Sequence, residues 1–287
     1  MAQSTTLSMA TTPELNEEAA RLERTLRGGG VPVALETMDD GAPAVLRALT
    51  QGRVRAALLR GRACIDLPDD LRMAAVLPRE EPRDVLLPAR DAPLTLPTLP
   101  HGARVGVRGV RRRGFLLAHR SDAEAVAPEN GGGPGHALGS GSVDAVILGA
   151  AEARRLGLAS RATEILDAKA WVPGPAQGLL VLLTRADDAS AEKRCSDMEH
   201  GASRTAFRAE VAVLDVRGGA FDLPLGALAV PHGPWIRMWG MLASPDGTRV
   251  VRGDITGRTD DPEGAGRALT ELLLARGAAS LLSGDRA

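Results

Sequence analysis

The sequence is poor in aromatic side chains: it has no Tyr, and aromatic residues make up only 2% of its 287 positions. So few rings give little material for stacking unpaired bases, which argues against binding of single-stranded nucleic acid. Net charge is also nearly absent, because 35 Lys and Arg oppose 36 Asp and Glu, for a formal charge of −1. No overall field therefore favours DNA or anionic lipid, and any anion site must be local.

Cysteine is scarce as well. Cys64 and Cys195 stand far from each other, with no CxxC pair and no adjacent His, which argues against a disulfide framework and against zinc. No apolar run approaches the about 18 residues of a membrane helix, and the first 13 residues lack the basic start and apolar stretch of a secretion signal. We therefore expect a cytoplasmic protein with no metal and with neither a membrane nor a nucleic-acid partner.

What the chain does have is an alternation of amphipathic helices and short apolar strands. Thr12 and Pro13, followed by an apolar stripe at helical spacing, predict a helix that ends at the glycines 28–30. Further strands are predicted over 31–38, 55–59, 103–107, 145–148, 179–183, 236–243 and 248–256, and further helices over 43–51, 111–119, 150–156, 206–214 and 262–276. The order predicts a mainly parallel sheet, with 179–183 as one of its buried parallel strands.

Two Pro-rich segments, 88–100 and 173–175, interrupt this alternation. Repeated Pro removes ladder donors and fixes extended backbone, so each segment is typical of a crossing between domains. We expect a discontinuous first lobe formed by 1–88 and 173–190, a second lobe over 89–172, and a C-terminal domain over 200–287.

Several motifs resemble, in order and at similar spacing, those of the hydroxymethylbilane synthase (porphobilinogen deaminase) family. They include LPREEPRDV at 77–85, GVRGVRR at 106–112 in the place of a GTSSLRR motif, VDAVILGAA at 143–151, PGPAQG at 173–178 and ASPDGT at 243–248. In the last of these, Asp246 and Gly247 between apolar strands are also a hairpin turn signal. The resemblance implies an α/β fold of two lobes like those of periplasmic binding proteins, with a cleft between them, plus a small C-terminal α/β domain.

Enzymes of this family condense four porphobilinogen molecules, with loss of ammonia at each step, on a dipyrromethane cofactor joined to a cysteine. The resemblance places Ala220 at that cysteine, in the stretch GGAFDLPLGA, and a methyl group cannot form a thioether. We therefore expect no covalently attached cofactor. It also places Arg62, or Ala63 if the register slips by one residue, at the catalytic aspartate of the family, and neither side chain can accept a proton at neutral pH.

The arginines that hold substrate acids in the family are matched only in part. Arg111 and Arg112 match a pair that follows the GTSSL stretch, Arg108 precedes them, and Asn130 remains from a loop that has lost its arginines. At a helix N-terminus such arginines suit a carboxylate, so these four residues are the candidate site for a small acidic pyrrole-like ligand. A solvated helix face, and for Asn130 a surface loop, are the alternatives.

The first functional hypothesis is a hydroxymethylbilane synthase-like transferase of tetrapyrrole biosynthesis, which condenses porphobilinogen or a related pyrrole acid with altered or lost activity. The alternative is a catalytically inactive relative that binds a small acidic ligand or a partner protein in the cleft. Because the family chemistry depends on single side chains that are replaced here, the sequence leaves open whether the chain is an enzyme. We expect a monomer.

Overall fold

The computed structural model describes residues 6–127, 133–214 and 224–282. The chain divides into two compact units, Met1–Glu80 with Gly178–Arg204 and Glu81–Gln177 with Thr205–Ala287. Among the helices of these described ranges, none is both long enough and apolar enough to cross a bilayer.

Helices and strands alternate along most of the chain. The strands of the described residues are β1 Leu7–Thr11, β2 Val33–Thr37, β3 Ala56–Arg60, β4 Leu71–Val76, β5 Asp84–Pro88, β6 Arg104–Val107, β7 Glu124–Val126, β8 Ala145–Gly149, β9 Glu164–Ile165, β10 Leu180–Arg185, β11 Leu225–His232, β12 Trp235–Ala243 and β13 Val250–Arg258. The helices are α1 Asn16–Gly28, α2 Gly41–Thr50, α3 Val110–His119, α4 Pro134–Ser140, α5 Ala150–Arg155, α6 Ala189–Ser196, α7 Gly201–Ala212, α8 Pro262–Leu273 and α9 Ala279–Leu282.

Helix α1 confirms the amphipathic pattern at the start of the chain. A 3-10 turn with Pro13 in its first turn leads into the helix, and Leu15, Ala19, Leu22 and Leu26 are all buried. They pack against the apolar strands of the first unit, together with Cys195. The 3.6-residue period therefore located both the helix and its core face.

The sheet of the first unit has the strand order β2-β1-β3-β10-β4. Strand β1 is parallel to β2 and β3, whereas β10 is antiparallel to β3 and β4. The prediction of a parallel strand at 179–183 is therefore wrong in its direction. An unbroken apolar run indicates that both faces are buried, but it does not indicate which way the strand runs.

The first sheet of the second unit has the order β7-β6-β8-β5-β9 and is also mixed. Strand β6 is parallel to β7 and β8, and β5 is antiparallel to β8 and β9. Strand β5, which the expected division assigned to the first lobe, thus pairs with β8 of the second unit. The expected division into three domains stays a prediction.

A three-stranded antiparallel sheet, β11-β12-β13, belongs to the same unit. The turn at Asp246 and Gly247 joins β12 to β13, and Gly247 has a φ of 73°, which confirms the hairpin signal. Helices α7 and α8 contribute to the apolar cluster on one face of this sheet. Helix α8 continues into a π-helical turn, Leu274–Ala278, in which Gly277 has a φ of 99°.

Candidate functional site

A buried carboxylate is the centre of the candidate site. Asp84 is the first residue of β5, pairs with Gly149 at the end of β8, and has no solvent exposure. Its Oδ2 accepts hydrogen bonds from Arg111 Nη2 at 2.6 Å and from Trp171 Nε1 at 2.9 Å. Its Oδ1 accepts from Arg112 Nε and Nη2 at 3.2 and 3.0 Å, and from Gln177 Nε2 at 2.8 Å. Both oxygens are therefore saturated by donors.

The charges in this network favour the ionised state of Asp84. Burial by itself would raise the pKa of Asp84, but the charges and hydrogen bonds of Arg111 and Arg112 outweigh burial and hold this pKa well below its usual range. Burial would lower the pKa of Arg112, yet its pKa is raised because of the charge and hydrogen bonds of Asp84. Two guanidinium groups thus share one carboxylate, and Glu152 adds a second negative charge that acts on Arg112.

The start of α3 places both arginines at Asp84. Between β6 and α3 the chain turns at Gly109, whose φ of 84° lies in the left-handed region that favours glycine. The helix also packs closely at Gly114, where a Cβ would lie 2.8 Å from a side-chain carbon of Pro224. The turn and the close packing fix the first helical turn, and with it Arg111 and Arg112.

Arg111 is held on several sides. Its Nη1 donates to the carbonyl of Val172 at 3.0 Å, its Nη2 also donates to Gln177 Oε1 at 3.0 Å, and its guanidinium lies 5.6 Å from the ring centre of Phe115. Gln177 Nε2 donates in turn to the carbonyl of Pro82 at 2.6 Å. These contacts make Arg111 a fixed part of the core of the second unit.

Arg112 is bonded on one edge. Its Nε and Nη2 point to Asp84, whereas its Nη1 makes no hydrogen bond to any other residue that the structure describes. The side chain is 14% exposed, so part of it is accessible while the hydrogen bonds to the carboxylate stay in place. The geometry suits a charge-assisted hydrogen bond to a ligand acid group.

The other candidate ligand residues have different positions. Arg108 is exposed at the end of β6, just before the turn that leads to α3, and Asn130 lies outside the described residues. The structure thus brings Arg111 and Arg112 together, with Arg108 nearby in the chain. Ligand binding by these four residues stays a prediction.

Sequence reasoning missed the residues that organise the arginines. Asp84, Trp171 and Gln177 are far from Arg111 in sequence. The motifs PRDV and PGPAQG contain or adjoin them, but these motifs indicate the family and not the contacts with Arg111. An acidic residue at the start of a buried strand was the available signal, because a buried carboxylate needs cationic partners.

Arg62 lies in the first unit, on the 3-10 turn Gly61–Cys64 that follows β3, and its side chain is exposed. A guanidinium therefore stands at the position that the resemblance assigns to the catalytic aspartate. Ala220, at the position of the cofactor cysteine, lies outside the described residues. Among the residues that the structure describes there is no cluster of three metal-binding side chains.

The two thiols of the chain are both in apolar surroundings. Cys64 is 2% exposed, and burial raises its pKa to about 12. Cys195 is fully buried beside α1, and burial, with a smaller effect of Asp188, also raises its pKa to about 12. Both are therefore neutral thiols at physiological pH.

Comparison with known proteins gives a consistent result. Residues 61–193 match the family model "Porphobilinogen deaminase, dipyromethane cofactor binding domain". The chain is 38% identical to porphobilinogen deaminase of Roseiflexus castenholzii over 219 residues, which cover 76% of this chain and 71% of that protein. It is 35% identical to porphobilinogen deaminase of Xanthomonas oryzae pv. oryzae over 220 residues, covering 76% and 72%.

Among solved structures, the methionine-binding protein MetQ superposes with a TM-score of 0.50 at 15% identity, covering 73% of this chain and 93% of that one. At this identity the likeness concerns the fold alone. It confirms the expected α/β class with units like those of periplasmic binding proteins.

The expectation that no cofactor is attached is wrong, because the matching family model is itself a dipyrromethane cofactor binding domain. A thioether tether needs a thiol nucleophile, and the chain has only the two cysteines described above. Cys64 and Cys195 are both buried, so a tether at either sulfur would require that residue to leave the core.

Proposed function

Because the chain belongs to the porphobilinogen deaminase family, we propose that it is a transferase of tetrapyrrole biosynthesis that condenses porphobilinogen, or a related pyrrole acid, with altered turnover. The observation that carries this proposal is 38% identity over 219 residues, about three quarters of the chain, to a porphobilinogen deaminase. The cytoplasmic location and the monomeric state expected from the sequence stay predictions.

Recognition of the substrate acids is assigned to the network around Asp84. The acetate and propionate groups of a pyrrole acid need cationic donors that are already oriented. Arg112 offers Nη1 while Asp84 holds its other edge, so the guanidinium is oriented before a ligand acid arrives. In this assignment Asp84 is a positioning residue, which acts on the substrate only through the arginine.

Altered turnover follows from the side chain at position 62. Each condensation breaks the carbon–nitrogen bond of an aminomethyl group and forms a carbon–carbon bond to a second pyrrole, whose displaced proton leaves with the ammonia as ammonium. Positive charge develops on the pyrrole during this exchange, and a carboxylate nearby would stabilise it. The exposed guanidinium of Arg62 has the opposite sign, so we expect slower condensation than in relatives with an acid there.

The test is incubation of the full chain with porphobilinogen, with ammonia release, substrate loss and oxidised porphyrin measured together. We expect one ammonia per porphobilinogen consumed, at a lower rate than for the enzyme of Roseiflexus castenholzii assayed in parallel. The intact mass, measured before and after incubation, shows which groups are covalently attached to the chain. Absence of ammonia above the protein-free blank would refute the proposal.

Arg112→Gln tests the role of the arginine edge. The lost charge-assisted hydrogen bond should raise KM about tenfold and change kcat less, because the interaction is made in both ground and transition states. The matched control is Arg113→Gln, which removes the same charge from the next, exposed position of α3. Equal effects of the two variants would contradict the assigned role.

The second candidate is a catalytically inactive relative that binds a small acidic ligand. The arginine at position 62 favours it, since proton handling at the pyrrole nitrogens lacks its carboxylate. Calorimetric titration with porphobilinogen separates the two: saturable binding that Arg112→Gln weakens, without ammonia release, supports this candidate, and release of ammonia excludes it.

A further inference from the structure

The antiparallel sheet β11-β12-β13 has a cavity of about 400 Å³ that takes no part in the Asp84 network. Apart from two glycines, its lining consists of four cationic side chains, one carboxylate and one indole. These are Lys169, Arg237, Arg252, Arg276, Asp254 and Trp239. All of them belong to the second unit.

The charges of this basic pocket are unbalanced. Asp254 is already bonded to Arg237. Within the described part of the chain, Lys169, Arg252 and Arg276 form no ion pair. Three cations therefore converge on one cavity without a counter-charge, an arrangement that costs free energy unless an anion is present.

The sheet register fixes the groups on β12 and β13. Trp239 lies opposite Asp254 in the ladder, and Arg237 lies two residues from Trp239 on the same face of β12. Gly240 points to the other face, where a Cβ would lie 3.0 Å from Leu273 of α8. Helix α8 thus covers one face, and the basic pocket belongs to the opposite one.

Arg252 and Arg276 are held next to each other. Arg276 Nη1 donates to the backbone carbonyl of Arg252 at 2.7 Å, which holds the Arg276 guanidinium against the strand that carries Arg252. His119 Nδ1 lies 2.8 Å from the carbonyl of Phe115, so Nδ1 donates there and Nε2 is left to accept from Arg252 Nη2 at 3.4 Å. The near neighbour of Arg252 is therefore an imidazole ring and not a carboxylate.

Lys169 approaches from a separate turn. The backbone N–H of Trp171 donates to the carbonyl of Asp167 at 2.7 Å, which closes the turn, and the Trp171 indole is anchored on the buried carboxylate of Asp84. The backbone that carries Lys169 is thus fixed before any ligand arrives, which reduces the entropic cost of binding.

We infer that the basic pocket binds a small anion with several acidic groups, a polycarboxylate or an oligophosphate, independently of the proposed function. Guanidinium groups recognise carboxylate and phosphate oxygens through the same paired donors. A volume of about 400 Å³ suits a small molecule rather than a protein segment. The half-buried ring of Trp239 supplies a flat wall and reports on occupancy.

The experiment titrates the full chain with pyrophosphate and, separately, with citrate, by indole fluorescence and by calorimetry. We expect saturable binding that weakens as sodium chloride is added. Tighter binding of pyrophosphate identifies a phosphate ligand, and tighter binding of citrate identifies a polycarboxylate. No saturable heat or fluorescence change with either anion would overturn the inference.

Variants assign the binding to the basic pocket. Arg252→Gln and Arg276→Gln should each weaken binding about tenfold, as expected for a lost charge-assisted hydrogen bond. The matched control is Arg258→Gln, because Arg258 is exposed on β13 and lies over a tryptophan, Trp235, but does not line the cavity. A similar loss of affinity in this control would show general attraction to positive charge and would refute a site.

Discussion

Replacement of Asp84 by Asn is the sharpest test of how the second unit is held together. The substitution keeps the size and shape of the side chain but removes its charge. It also turns one acceptor oxygen into an NH2 group that faces existing donors. Arg111 and Arg112 would then lie in the core, 9% and 14% exposed, without the carboxylate to which both are hydrogen-bonded. The fold would have to bury both cations without that partner.

The magnitude follows from this geometry. Removing one partner of a buried ion pair costs about 3–5 kcal/mol, mostly because the remaining charge is stranded. No cavity term is added, since Asn fills the same volume. The free energy of unfolding of a small protein is about 5–15 kcal/mol in total. For a protein near the middle of this range, the loss would be about a third or more of that free energy. With an m value of about 2 kcal/mol/M in urea, the unfolding midpoint should fall by roughly 2 M.

Urea unfolding followed by indole fluorescence measures this loss, because Trp171 donates directly to Asp84. Circular dichroism in parallel shows whether the two compact units unfold together or in separate steps. The matched control is Asp122→Asn, which breaks a bidentate pair with Arg120 in the same unit at a partly exposed site. Water can replace the lost contacts there, so its midpoint should move much less.

Low pH should also destabilise the native chain, because it protonates Asp84. The pKa of Asp84 is lower in the folded than in the unfolded state, so its stabilisation is complete above the unfolded value, about 4, and is lost as pH falls below it. The Asn variant should therefore show a shallower loss of stability below pH 4. If the variant unfolds within about 1 M urea of the native chain and keeps the same acid profile, the buried-charge reasoning is refuted.

Two further predictions concern the core. Gly226→Ala should destabilise the second unit by about 1–3 kcal/mol, because its Cβ would lie 2.4 Å from the carbonyl oxygen of Val172; a thermal melt checks this. Cys64 and Cys195, whose burial raises the pKa of each to about 12, should not react with a disulfide reagent at pH 8 until the chain is unfolded. Fast labelling of either thiol in the native chain would contradict the burial of these two side chains.

The sequence was sufficient for elements whose signal is local. Helix α1 shows its buried stripe in its own period, and the hairpin turn at Gly247 follows from the need for a positive φ. The direction of β10 was not predictable, because Val181, Leu182 and Leu183 are buried on both faces and would look the same in either orientation. Strand direction depends on neighbours such as β3 and β4, which are distant in sequence.

The candidate site, too, was predictable from the sequence only in part. Arg111 and Arg112 could be found from their place in a family motif, but Asp84 lies 27 and 28 residues earlier and Gln177 lies 66 residues after Arg111. Only the folded chain shows that one carboxylate serves two guanidinium groups. The basic pocket was hidden for the same reason, since Lys169 and Arg276 belong to segments without any shared motif.

The structural role of the arginines limits what their presence indicates about activity. Arg111 bonds Asp84, Gln177 and the backbone of Val172, so the fold itself would need it even in a chain without catalysis. Presence of the arginine pair therefore does not separate an active transferase from an inactive relative. Arg62 is different, because its exposed side chain fills no space in the core.

Arg62→Asp is thus the variant that separates fold from function. If position 62 corresponds to the proton-handling aspartate, a carboxylate there should raise the rate of ammonia release from porphobilinogen about a hundredfold, which is the low end of general acid–base effects. Arg72→Asp makes the same change of charge at an exposed position of β4 and should leave the rate unchanged. An unchanged rate in Arg62→Asp, with the fold intact, would mean that position 62 does not occupy the place of the catalytic acid. A gain in both variants would instead indicate that net charge, and not the position of one carboxylate, controls turnover.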